Sequence, residues 1–481
     1  MVSALANLFS RVSLHPKFGA LSSILITALA GVIRFSNLSN PQTLVFDETY
    51  YVKDAYTLGL FGSERTWPEN ANQFFEAGSA NVYESTGSYV VHPPLGKWLI
   101  WLGLQIFGVE NSFSWRFSTA LLGTVSTLLV IVIARELTRS KAFAAVAGFL
   151  FAIEGLSIVM ARTAILDGIL TFFVLLGFLV LLRSVDAWKK RLKHKQSMAI
   201  QPWLIALGVV MGMAGSVKWS ALYFLVAFGL FTFWADWKAR RAIGHAPFPS
   251  IGQGLINAFT LIFTSASVYV LSWLGWIRDA DAWGRQEESN WWRSLFSYHR
   301  QILDFHASLE SDHPYQANAF AWLINLRPTA FYFEQFEGTQ VCGWLSSCTV
   351  AITAMPNLVI WFAGLIALLW LIKNRRRSQS AQLVILGFIA GWLPWVFFLE
   401  RTAFQFYAVA LVPFLIMALT LALQHYWKRG FLLGVSKLRS KRIMTLVVIA
   451  TLVSLFYLPL WIGLPVPYEL WRMQLLLPIW I

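Results

Sequence analysis

Charged residues are scarce in this 481-residue chain: Asp, Glu, Lys and Arg together make up 13% of it, about half the share of an ordinary soluble protein. Several catalytic signatures are missing as well. No Gly-rich loop ends in Lys-Ser/Thr, so ATP hydrolysis has no support. No Gly-x-Ser-x-Gly elbow is present to carry a serine nucleophile. His92, His299, His306 and His313 are scattered and form no His-Glu-x-x-His pair, so no metal site is expected. Heptads, low-complexity tracts and internal repeats are absent too.

What is present is apolar. Hydrophobic residues account for 57% of the chain and the mean hydropathy is +0.58. Apolar runs recur at about twenty residues, the length a helix needs to cross a bilayer. A β-barrel would show short alternating segments instead. The expected fold is therefore an all-α polytopic membrane protein with eleven spans, near 18–38, 114–134, 142–160, 165–183, 202–216, 219–237, 252–277, 356–372, 381–400, 404–424 and 443–463. With the N-terminus cytoplasmic, the inner segments hold 24 of the 38 basic residues, from Arg11 and Lys17 to Lys441 and Arg442. Of the acidic residues they hold Glu136, Asp186 and Asp236. That asymmetry follows the positive-inside rule, so the net charge of +14 sets topology and does not point to nucleic acid. The first span lacks a small-residue cleavage site and is too long for a signal core, and it is read as retained. An odd number of spans puts the C-terminus outside.

Two connections are long, 39–113 and 278–355, and both fall on the outer side. Loops of that length are usually functional or carry structure of their own. In the first, 94–107 (PLGKWLIWLGLQIF) is apolar but too short to span, which suits an interfacial or re-entrant helix. A shorter helix is expected around 49–59. Cys342 and Cys348 lie in the second loop, where a short-range disulfide would act as a staple; two free thiols are the alternative.

Ionisable groups at membrane depth are expensive and become site candidates by default. Arg34, Arg116, Arg162, Asp167, Lys218, Glu400 and Arg401 all fall at outer helix ends. They face Asp47 and Glu48 in LVFDETYYVKD (44–54) and His92 and Lys97 in HPPLGK (92–97). The plainer reading of any one of them is a snorkelling side chain, its stem in lipid and its head in water. Together, cations around an external cavity suit an anionic head group such as phosphate, and a carboxylate suits a general base on a hydroxyl. The chemistry expected is transfer from a membrane-held phosphate donor to an acceptor arriving from outside.

Six blocks carry a family resemblance: 33–58 around FDETYY, HPPLGKW (92–98), SVKWSALYF (216–224), HPYQANAFAWLINLRP (313–328), RTAFQFYAVALVPF (401–414) and the tail 456–480. In this order they resemble the signature blocks of the protein O-mannosyltransferases, members of the type C glycosyltransferase superfamily, and they span nearly the whole chain. The resemblance implies one integral-membrane glycosyltransferase domain over 1–481, in a bacterial cell membrane, with its site extracytoplasmic. The implied donor is polyprenyl-phosphate-mannose. The implied acceptors are Ser or Thr hydroxyls of secreted polypeptides, met near the secretion translocon, with inversion at the anomeric carbon. Asp47 then becomes the general base and Glu48 a group that orients the acceptor or tunes the base. Arg116 and Lys218, with Arg34, Arg162, Asp167 and Arg401, are assigned to the donor phosphate and sugar. His92, Lys97, His313, Arg327 and Tyr407 are assigned to shaping the site or the acceptor groove. No cofactor or metal is implied, although a carboxylate pair can recruit a divalent ion.

The chain departs from the family pattern in places. The second outer loop is too short for the β-trefoil insert of eukaryotic members, which points to a bacterial-type enzyme. Tyr50–Tyr51 replaces a His-aromatic pair, and Ser220–Ala221 replaces Val-Gly. Two other readings stay open from sequence: a type C enzyme with a glycolipid or cell-wall acceptor, and a membrane transporter.

Overall fold

The structure is a computed structural model that describes residues 15, 17–193, 200–376 and 378–480. Arg11, Lys195 and Arg377, counted above on the inner side, lie outside the described residues. The helices that carry the argument are α1 (Phe18–Phe35), α2 (Glu48–Phe61), α3 (Leu95–Phe107), α4 (Ser112–Thr138), α5 (Lys141–Ala152), α6 (Gly155–Arg162), α7 (Leu166–Lys193), α8 (Pro202–Gly215), α9 (Ala221–Ala242), α10 (Pro247–Ser272) and α11 (Trp291–Ser308). A hairpin of β1 (Thr329–Glu337) and β2 (Ser347–Ala354) follows, then α12 (Leu358–Arg375), α13 (Gln379–Trp392), α14 (Val412–Leu432) and α15 (Ser436–Ile462).

Among the described residues, eight helices are long and apolar enough to cross a membrane, and α5 with α6 makes a ninth, bent by 58°. The short α8, at 14 residues, and α9 fall where the other two expected spans lie. The bend is not loose. A broken helix strands carbonyls on one side and N–H groups on the other, and within a membrane these need partners. Arg34 of α1 supplies the carbonyl partners, donating to Phe151 O and Ala152 O. Glu154, which precedes α6, supplies the rest, accepting the Ser157 N–H at 2.7 Å and the Asn357 N–H at 3.1 Å. Arg34 is thus a fully buried stitch in the helix packing.

The helical class holds, with one addition that the sequence reading did not carry. The second outer loop contains an antiparallel hairpin, β1 against β2, with a bulge between Ala330 and Tyr332. Its strands are rich in aromatic and β-branched residues, which favour a pleated, half-buried surface. The Cys342 and Cys348 sulfurs are bonded across its turn.

The two long loops pack on each other. Arg65 pairs with Asp279 at 2.7 Å, and the Tyr298 hydroxyl bridges both backbone groups of Val90. Gly62 meets Gly275 so closely that a Cβ on Gly275 would stand 2.2 Å from the Gly62 carbonyl oxygen. Gly62 also holds φ at +85°, a conformation that glycine adopts without penalty. The apolar face of α11 buries Leu295, Tyr298 and Ile302 beside Trp273 and Trp276. These contacts fix the outer layer above the helix ends that carry the candidate site.

Candidate active site

Phe46 has φ at +49°, an uncommon conformation for a bulky residue and one that persists only when neighbours over-determine it. Here the neighbours are rings: Phe331, Phe404 and Phe406 lie 5.0, 5.5 and 5.6 Å from the Phe46 centroid. The next residue is Asp47, half-buried just ahead of α2. No ion pair to the Asp47 carboxylate is found among the described residues. The carboxylate faces the Lys218–Asp167 pair and the Tyr51 hydroxyl. Burial pushes it up to about 6, with Asp167 adding to the rise while Lys218 and Tyr51 oppose it.

Around it the structure gathers a small polar chamber. Lys218 Nζ donates to both Asp167 oxygens at 2.9 Å and lies 4.0 Å from the Tyr407 ring centre. An ammonium has three N–H donors, so one remains for a ligand. The His92 ring sits 5.9 Å from Tyr51 and stacks 5.4 Å from His306. His306 in turn meets Arg401, whose guanidinium lies 3.1 Å from His306 Nδ1 and also donates to the His306 carbonyl. Burial, reinforced by the Arg401 charge, holds His306 down to about 4, and burial with Lys218 holds His92 well below the usual histidine range. Both shifts favour the uncharged ring.

Other candidates turn out to build the chamber's walls. Glu48 is fully buried, and Arg116 grips it through Nε and Nη2 at 2.8 Å each. Glu48 also accepts the N–H groups of Val45 and Ala164. The remaining Arg116 donors go to the carbonyls of Leu38, Pro41 and Thr43. A guanidinium has five N–H groups, and all five are used, so Arg116 has none for a donor phosphate. Glu48, sealed behind it, does not face an acceptor. Arg162 spends its donors on the carbonyls of Ile33, Arg34, Ser36, Asn37 and Ile462, pinning the outer end of α1. Lys97 is buried against Glu64 and lies 4.0 Å from Asp54. These contacts tie α3 to α2, where Lys97 shapes the site from beneath. Of the cations assigned to the donor, Lys218 and Arg401 reach the chamber.

His313 packs edge-on against Phe404 and Phe46. Arg327 donates to Pro314 O and lies over the Tyr315 ring. Beside them an outer cavity of about 640 Å³ is lined by Asp312, Gln316, Asn318 and Arg327. Tyr51 and His306 were not named as site residues from sequence, nor were Trp219, 6.0 Å from the His306 ring, and Trp395, 5.2 Å from the Tyr407 ring. Tyr51 was visible there as the i+4 neighbour of Asp47 on one helix face. His306 carried no local signal, because its partners come from other loops. Among the described residues, no group of three or more His, Cys, Asp or Glu side chains is close enough to hold a metal.

Two solved structures share this fold. The S. cerevisiae protein O-mannosyltransferase Pmt1-Pmt2 complex bound to the sugar donor matches with a TM-score of 0.74, over 97% of this chain and 93% of that one, at 14% identity. ArnT from Cupriavidus metallidurans bound to undecaprenyl phosphate matches with a TM-score of 0.53, over 92% of this chain and 76% of that one, at 15% identity. The class these matches define is a multi-pass, helical membrane fold. Residues 24–271 match the family dolichyl-phosphate-mannose-protein mannosyltransferase, and residues 291–480 match the C-terminal four-transmembrane region of protein O-mannosyltransferases. A polyprenol-phosphate-mannose–protein mannosyltransferase of Mycolicibacterium smegmatis is 30% identical, over 97% of this chain and 95% of its own length. Its counterpart in Mycobacterium tuberculosis is 31% identical, over 95% and 91%. The chain belongs to the dolichyl-phosphate-mannose–protein mannosyltransferase family.

Proposed function

We propose that the chain transfers mannose from a polyprenyl-phosphate-mannose donor to Ser or Thr hydroxyls of secreted polypeptides. The transfer takes place at the outer face of a bacterial cell membrane, near the point of secretion. The observation that carries this reading is the chamber in which an unpaired carboxylate, Asp47, faces cations at the outer helix ends, in a chain of this family. The acceptor hydroxyl oxygen attacks the anomeric carbon from the face opposite the phosphate, inverting it. Asp47 takes the hydroxyl proton as the new bond forms, and the carbon–oxygen bond to the phosphate breaks. Negative charge grows on the departing lipid phosphate, where the third Lys218 N–H and Arg401 stabilise it; electrostatic terms of this kind are usually the largest in catalysis. Glu48 and Arg116 act indirectly, by fixing the loop that aims Asp47.

The test is labelling of a Ser/Thr-rich peptide from radiolabelled polyprenyl-phosphate mannose in membranes holding the full chain. Asp47→Asn should lower peptide labelling by about 10²–10⁴-fold, the range for losing a general base. Unchanged labelling would remove Asp47 from the role. Label entering lipid in place of peptide would point to a glycolipid acceptor.

A further inference from the structure

The hairpin in the second outer loop has two edges, and they differ. On β2, Thr349 spends both backbone groups on Val466, donating at 2.8 Å and accepting at 3.0 Å. On β1 the outer edge is open. Antiparallel pairs alternate between residues that exchange backbone bonds and residues that turn theirs away. The Gly338 N–H bonds to Ser346 O, which sets the phase: Phe336–Cys348 and Glu334–Val350 are the bonded pairs of the register. Phe333, Gln335 and Glu337 therefore turn N–H and C=O away from β2. All three are exposed, and their outward backbone groups have no partner among the described residues.

Exposed edges are usually blunted by lysine, proline, a covering loop or a short strand. β1 runs nine residues with neither lysine nor proline; its charged side chains are Glu334 and Glu337, and its one bulge lies at the inner end, between Ala330 and Tyr332. Its inner end reaches the chamber, because Phe331, at the bulge, stacks 5.0 Å from Phe46, the residue before Asp47. At about 3.3 Å per residue, the strand from Phe331 to Glu337 covers roughly 20 Å, leading from the base outward into the external loop.

We propose that the free edge of β1 is the acceptor track. An extended stretch of the acceptor polypeptide adds to it as a third strand, pairs with the outward backbone groups of Phe333, Gln335 and Glu337, and brings its Ser or Thr to Asp47. This inference rests on the polypeptide-acceptor reading above and adds how the acceptor is held. Main-chain pairing of this kind supplies affinity while leaving most side chains free to vary, so acceptors of unlike sequence would share one binding mode.

The experiment uses the full chain in membranes, radiolabelled polyprenyl-phosphate mannose and three Ser/Thr peptides of one sequence. One peptide is unmodified, and the other two carry backbone N-methyl groups on alternate residues in opposite phase. Strand addition makes the two phases unequal: one should raise the peptide KM by about tenfold or more through lost N–H bonds, while the other stays close to the parent. Gln335→Pro, which deletes one outward N–H, should raise peptide KM severalfold more than Gln335→Ala, which removes the same side chain and keeps that N–H. Equal effects of the two phases, or an unchanged KM in Gln335→Pro, would overturn the track and leave the transferase reading standing. If the unmodified peptide takes no label, the acceptor reading itself fails and the track falls with it.

Discussion

Glu48 gives both oxygens to Arg116 and accepts two backbone N–H groups besides, whereas its neighbour Asp47 keeps its carboxylate for the chamber. The consequences of mutation should divide accordingly. Removing one partner of a buried, fully bonded pair strands the other charge, so Arg116→Ala should cost about 3–5 kcal/mol of stability, read as a fall in Tm in detergent. Arg116→Lys should recover little, because an ammonium cannot reproduce two parallel bonds and three carbonyl contacts. Asp47→Asn should leave Tm near wild type. The Asp47 carboxyl is raised to about 6, and a base works only when deprotonated, so kcat/KM should rise with pH through about 6 and then level off. Tyr51 favours the ionised form, so Tyr51→Phe should move that limb upward. Asp54, raised by burial to about 7, titrates nearby, and Asp54→Asn should leave the limb in place. A limb that follows Asp54 would reassign it. Sequence placed these charges at the correct helix ends but could not sort them. Whether a guanidinium points into a cavity or along a row of carbonyls depends on loops that fold back from far along the chain, as Leu38, Pro41 and Thr43 do onto Arg116.

At the scale of elements, the α5–α6 bend shows why charge was tolerated within the packed helices. Arg34→Leu would leave the Phe151 and Ala152 carbonyls without their donor and Glu154 without a nearby cation, and should destabilise the protein by about 3 kcal/mol or more; thermal unfolding of the purified variant checks this. Neutral behaviour would mean that the helix break closes its own hydrogen bonds. The run 142–160 read as one apolar span because hydropathy averages over Glu154 and cannot register a break. The short helices α2 and α3 were both expected, α3 because an apolar stretch too short to span has few other fates. The hairpin was not, because its strands lie inside 278–355, which was read as one long connection.

For the molecule as a whole, the inner face expected from the basic residues can be tested directly. With both native cysteines bonded to each other, single cysteines report cleanly. Glu310→Cys should react with a membrane-impermeant maleimide on intact cells, and Lys238→Cys only after permeabilisation. The reverse pattern would invert the topology. A further consequence follows from the sealed Glu48–Arg116 clamp. Protein whose folding equilibrium shifts by a few kcal/mol is cleared by cellular proteases, so Glu48 variants should fall in abundance. Asp47 variants should accumulate as intact, silent enzyme. Expressed beside the wild type, an Asp47 variant would still occupy donor and acceptor and slow secreted-protein modification, whereas a Glu48 variant would be removed before it could compete.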